Sequence, residues 1–258
     1  MSTKPTIVFV HGSWHSPECW NKVVSLLEAQ QFKCVAPSLP STEGSNTASF
    51  EDDLNAVRNA IVAETTQGRD VVVVTHSFGG IVGQSAIKGL TRPKQDAPSS
   101  ANDTSGHVIG LVNIATAFSQ TGMKSFLDGL GGKPPPSWKI DPSGFAEIVV
   151  PPRELFYHDL PEEEGDYWVS RLRKQSVKAL AEGGEHMYTG WMDVPVWHLT
   201  TAEDKGLPIE AQKYLIQLAK DSGGDVTVRE IASSHSPMLS RPKETADFIL
   251  EAVTTFTG

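Results

Sequence analysis

Three kinds of side chain in this sequence could together make an alcohol reactive. Ser77 closes the run "VVVVTHSFGG" at residues 71–80. A serine hydroxyl is a poor nucleophile until a base takes its proton. His235, in "VREIASSHSPMLSRP", could be that base. Glu203 or Asp204, in "VWHLTTAEDKGLP", could orient the imidazole and balance its charge. Each candidate follows directly on an apolar β-branched run, in the order serine, acid, histidine. Taken singly they have plainer readings. A serine after a strand is commonly a helix cap, an aspartate there a turn residue, and a loop histidine mere surface. Valine strand, serine and double glycine together point beyond the cap, because a nucleophile on a sharp strand-to-helix turn needs small neighbours.

The usual G-x-S-x-G pattern has glycine two residues before the serine, where this chain has Thr75. The first apolar run, "PTIVFVHG", ends on Gly12, where the backbone can turn tightly and leave the Ser13 N–H free. With the N–H of Phe78, at the start of the next helix, it would form a two-donor oxyanion hole. Losing one such donor costs roughly 3 kcal/mol of transition-state stabilisation. His11 and His15 have metal-pair spacing but straddle a strand end and a loop, and no third ligand is evident, so neither metal nor other cofactor is expected.

The elements that must carry these residues alternate. Short apolar runs at "TIVFV", "FKCVAP", "DVVVVTH", "HVIGLVNIAT", "VPVWHLT" and "DVTVREI" read as strands. Helical spacing follows several of them, as in "SFEDDLNAVRNAIVAET", with acids in its first turn. Continuous rather than alternating apolar strands are buried on both faces, which predicts an α/β fold: a mostly parallel six-stranded sheet flanked by helices. Two stretches break the rhythm. Residues 91–106, "TRPKQDAPSSANDTSG", read as a flexible surface excursion. Residues from about 116 to 190 read as a helical cap insertion within a single domain spanning 1–258. Its aromatic content suggests a small or medium apolar acyl group, with Trp14, Phe118, Trp138, Phe145, Tyr157 and Trp191 as candidate walls. For each of these, core packing is the plainer reading.

At 258 residues the chain can bury a sizeable core. A formal charge of −9 and no dense Lys/Arg run argue against nucleic acid and against an anionic membrane surface. Two cysteines, Cys19 and Cys34, make no disulfide framework and read as reduced core thiols. No apolar run is long enough for a signal peptide or a membrane span, so a soluble cytoplasmic protein is expected. Oligomeric state is left open.

Together, "FVHGSWHSPECW", "THSFGG", "AEDKGLP" and "SHSPMLSRP" resemble the α/β-hydrolase fold, and within it the plant methylesterase and hydroxynitrile lyase group and related microbial hydrolases with a "PPRELFYHDLPEEE"-like cap. The resemblance implies Ser77, Asp204 and His235 as a triad, Ser13 and Phe78 N–H as the oxyanion hole, and a helical cap between the fourth and fifth strands. The related lyases carry a lysine after the histidine and a threonine after the first-strand histidine, whereas this chain has Ser236 and Gly12. That difference points toward hydrolysis of a carboxylic ester or lactone. A lyase or C–C bond-cleaving enzyme using the same triad, and a small-molecule receptor that has kept the fold, are the alternatives.

Overall fold

Valine and isoleucine dominate the central strands, and the computed structural model shows where both faces of those strands go. It describes residues 4–92 and 105–258; most of the 91–106 excursion lies outside the described residues. Six strands form one sheet: β1 (Thr6–Val10), β2 (Cys34–Val35), β3 (Val71–His76), β4 (Val108–Ile114), β8 (Val196–Thr201) and β9 (Val226–Ile231). Their order is β2-β1-β3-β4-β8-β9, and every pairing is parallel. Registers such as Val8↔Val73, Val73↔Leu111 and Leu111↔Val196 carry one apolar row across the middle.

Alternate residues of each strand enter different cores. Val8, Val10, Val71 and Val73 pack with Val57, Ile61 and Ile81 from α2 (Phe50–Thr65) and α3 (Phe78–Ala86). Ile7, Phe9, Val72 and Val74 pack with Trp20, Val23, Leu27 and Ile249, on the side of α1 (Asn21–Ala29) and α10 (Pro242–Thr257). The four valines 71–74 are fully buried, each worth about 1.5–3 kcal/mol relative to exposure. Two-sided burial is why these runs show no polar alternation. Ser49 and Asp52 start α2 with a reciprocal capping box, each accepting from the other's backbone N–H. Cys19 and Cys34 are free thiols, Cys19 fully buried and Cys34 partly so.

Between β4 and β8 the chain forms helices, as expected of the insertion, and adds three short strands that the sequence reading did not include. Trp138–Ile140 (β5), Phe145–Ile148 (β6) and Gln175–Ser176 (β7) make a small antiparallel sheet. Asp141 sets the β5–β6 turn, its Oδ1 accepting from the Ser143 N–H at 2.8 Å, with Gly144 at φ +85°. Strands this short carry too few residues to show a period-2 pattern. The helices of this stretch are also short: α4 (Phe126–Gly129), α5 (Pro152–Phe156), α6 (Glu162–Ser170) and α7 (Val177–Ala181). After β8 come α8 (Ile209–Asp221) and, beyond β9, α9 (Pro237–Ser240). Among the described residues no helix is long and apolar enough to cross a membrane.

Candidate active site

Ser77 sits between β3 and α3 at φ 52°, ψ −131°, a region costly for any residue with a Cβ and typical of functional turns. Its side chain does not cap α3, so the plainer helix-cap reading fails. Local sequence explains how the turn is tolerated. A Cβ placed on Gly79 would lie 2.3 Å from the His11 carbonyl oxygen, because α3 starts against the end of β1. Gly79→Ala is therefore expected to force β1 and α3 apart and to destabilise the fold by about 2–3 kcal/mol, as read by urea unfolding. Thr75 fits where glycine is usual, because its methyl packs over Gly83 and its hydroxyl donates to Asn113 Oδ1 at 2.9 Å.

His235 follows β9, and its Nδ1–H donates to Asp204 Oδ2 at 2.8 Å. Asp204, just past β8, is buried, and its carboxylate accepts four further hydrogen bonds: from Thr201 Oγ1, Gln212 Nε2 and the N–H groups of Gly206 and Leu207. Its neighbour Glu203 is exposed. Of the two acids the sequence left open, Asp204 is the one on the imidazole.

Ser77 and His235 line one cavity of about 340 Å³, together with Ser13 and Phe78. Of the candidate wall aromatics, Trp14, Phe118 and Trp138 line it. Phe145, Tyr157 and Trp191 lie outside its lining. Phe145 lies under Lys174 Nζ, 4.9 Å from the ring centroid. Tyr157 is buried with its hydroxyl donating to His15 Nε2 at 2.8 Å. Trp191 stands behind Phe118 at 5.4 Å, donating to the Ser119 carbonyl. Phe126 and Phe156 are wall aromatics that sequence reasoning did not assign to the cavity. The serine cap at Ser125, in "KSFLDG", is the signal that could have placed Phe126 at the start of a helix. Among the described residues the lining contains no lysine or arginine, and its charged members are Asp128 and, when protonated, His235.

Other histidines crowd beneath the site without forming a metal pair. His11 donates from Nδ1 to the Gly12 carbonyl and accepts at Nε2 from the Leu39 N–H. His15 donates from Nδ1 to the Ser13 carbonyl at 2.8 Å. His76 donates from Nε2 to the His235 carbonyl at 2.8 Å, its ring 4.7 Å from that of His235. Burial holds all three neutral, pulling His11 down to about 4 and His15 to about 3, and His76 well below the ordinary value. His198, on β8 and stacked on Phe118, is also pulled to about 3 by burial.

A parallel sheet with a strained serine at the end of one central strand, and a carboxylate-held histidine beyond the last, is the arrangement of an α/β hydrolase. The sequence profile of the alpha/beta hydrolase family matches residues 7–248, and the chain belongs to that family. It is 29% identical over 247 residues to the alpha/beta hydrolase nvfD of Aspergillus novofumigatus, covering 93% of this chain and 92% of the relative. It is 24% identical to methylesterase 1 of Arabidopsis thaliana over 274 residues, 98% of this chain and 97% of the relative. Among solved structures it superposes on polyneuridine aldehyde esterase with a TM-score of 0.72 at 20% identity, covering 97% of this chain and 99% of that one. These relatives are hydrolases and esterases by name, which supports a hydrolase.

Proposed function

We propose that the protein is a serine hydrolase that cleaves an uncharged carboxylic ester or lactone through an acyl-enzyme on Ser77. One observation carries the reading: an imidazole bonded at 2.8 Å to a buried carboxylate opens onto the same cavity as a serine held at φ 52°. With Nδ1 committed to Asp204, His235 has Nε2 left for the reacting proton. Ser77 Oγ attacks the carbonyl carbon and its proton passes to Nε2. The oxyanion lies between the N–H groups of Ser13 and Phe78, the latter at the first position of a helix, where backbone donors lack intrahelical acceptors. The C–O bond breaks, and the departing alcohol takes the proton from Nε2. Water then repeats the sequence on the acyl-enzyme, with His235 as base, and the acid leaves.

The walls favour an apolar, uncharged substrate. Trp14, Phe118, Phe126, Trp138 and Phe156 supply aromatic surface, and no cation lines the cavity among the described residues to hold an anionic group. Residues 116–190 would act as the cap that supplies most of this surface. Ser236 stands where cyanide-releasing lyases carry lysine, and with no lining cation among the described residues this favours ester cleavage over that lyase chemistry.

The test is covalent labelling with a fluorophosphonate, followed by mass mapping of the adduct. A single adduct on Ser77, prevented by prior occupation of the cavity with an aryl ester, is the expected result. An adduct at any other serine, or none at all, sinks the assignment.

A further inference from the structure

The segment "ELFYHD", residues 154–159, belongs to the stretch between β4 and β8, yet its contacts reach the His235 loop, the Asp204 loop and, through His15, the Ser13 turn. Leu155 and Phe156 line the cavity, and the Phe156 ring lies 5.6 Å from that of His235. The Phe156 carbonyl accepts from Ser234 Oγ at 2.8 Å, and Asp159 Oδ2 accepts from the Ser234 N–H at 3.0 Å. Ser234 is the residue directly before His235. His158 donates from Nε2 to the Glu203 carbonyl at 2.8 Å, directly before Asp204. On the other side, the Tyr157 hydroxyl reaches the Ser13 turn through His15, two bonds of 2.8 Å in series.

None of these bonds ends on a reacting atom. All end on a residue next to a site residue, on the Ser13 turn, or on the histidine that holds that turn. We propose that Tyr157 and Asp159 are positioning residues, through which the segment Leu155–Asp159 aligns the Ser13 turn with the His235 loop around whatever lies against Phe156. This rests on the hydrolase reading above. The physical basis is the steep dependence of such chemistry on alignment, since a misplacement of about 1 Å can cost 10²-fold. Tyr157 and His15 are buried, 1% and 4% exposed, so bulk water does not stand ready to replace their bond. The Ser234 N–H likewise depends on Asp159 rather than on a strand partner.

The test compares Tyr157→Phe, Asp159→Ala and Asp159→Asn with the unaltered protein. It measures kcat and KM on an activated aryl ester, the rate of fluorophosphonate labelling at Ser77, and the folded fraction by thermal melting. Tyr157→Phe and Asp159→Ala are each expected to lower kcat per folded molecule by about 10–100-fold with KM within about twofold. Labelling should slow in parallel. Asp159→Asn should recover most of the loss, because its amide oxygen still accepts from Ser234. Should Asp159→Ala not fold, Tyr157→Phe, which removes a single oxygen, carries the test. Unchanged kcat per folded molecule in these variants overturns the proposal, and so does Asp159→Asn as impaired as Asp159→Ala. An unaltered protein that neither hydrolyses the ester nor labels at Ser77 brings down the hydrolase reading itself, and this proposal with it, so the two failures are distinct.

Discussion

Replacing Ser77 or His235 with alanine is expected to lower kcat on an activated aryl ester by about 10⁴–10⁶-fold each, with the Ser77→Ala/His235→Ala double variant no worse than either single one. The non-additivity is the informative part. If the two side chains act as one unit, removing the nucleophile leaves the base nothing to deprotonate, and removing the base leaves the hydroxyl unactivated. Asp204→Asn should cost less, about 10⁴-fold, because the amide can present its NH₂ to Nδ1 and favour the wrong imidazole tautomer. An Asn oxygen can still accept from the Gly206 and Leu207 N–H groups, as Asp204 Oδ1 does, so Asn should keep the local turn while losing the charge. Melting midpoints within a few degrees of the unaltered protein would show that the losses are chemical. Losses in the two singles that multiply in the double would mean that Ser77 and His235 do not share a reaction coordinate.

Mild acid is expected to destabilise the protein strongly. His11, His15, His76 and His198 are held neutral by burial, with His11 at about 4 and His15 and His198 at about 3. In the unfolded chain each titrates near 6.5. The native state therefore binds fewer protons than the unfolded state below that value, and stability falls with falling pH. Their contribution is complete above about 6.5 and is lost progressively toward pH 4 and below. Each histidine is worth up to about 1.4 kcal/mol per pH unit, so four lose about 5 kcal/mol between pH 6 and pH 5. Asp53 acts in the opposite sense. Burial raises it to about 7, so the folded state keeps a proton that the unfolded state releases, and it regains about 1 kcal/mol over the same interval. A net loss of about 4 kcal/mol is a large part of a typical domain's 5–15 kcal/mol. Urea unfolding at pH 7, 6 and 5 measures it, and His198→Leu, at a site where neither ring nitrogen has a hydrogen-bond partner among the described residues, should remove about a third of the net slope. Stability independent of pH across this range would show that the four rings are not held neutral.

The scaffold was legible because doubly buried strands write themselves as unbroken apolar runs: Val71–Val74 and Val108–Ile114 could be little else. The proposed reacting groups stand out in the sequence because each follows within about a turn of such a run. The choice between Glu203 and Asp204 was not, since it depends on Thr201, Gln212 and two backbone N–H groups converging on one carboxylate. The antiparallel sheet of β5, β6 and β7 is not legible in the sequence, because two to four residues per strand carry no usable period. Wall residues were half legible for a related reason. Composition marks Tyr157 and Trp191 as aromatic, but only packing shows that they stand behind the wall, and that Phe126 and Phe156 are in it. His11 and His15 have metal-pair spacing in the sequence, but besides their local carbonyl partners they bond the Leu39 N–H and the Tyr157 hydroxyl, 28 and 142 residues away.

β4 and β8 are hydrogen-bonded neighbours, with Ile114 opposite Leu199, although the residues between them number in the eighties. The excursion thus departs and returns at almost one place. Doubling the length of such a detour adds only about 0.6 kcal/mol of closure entropy, and Ser13, Ser77, Asp204 and His235 all lie outside it. Wall residues of this one contiguous block, such as Phe118, Phe126 and Trp138, can change with little effect on Ser13, Ser77, Asp204 and His235, whose seats β1, β3, β8 and β9 provide, so long as the positioning segment Leu155–Asp159 is kept.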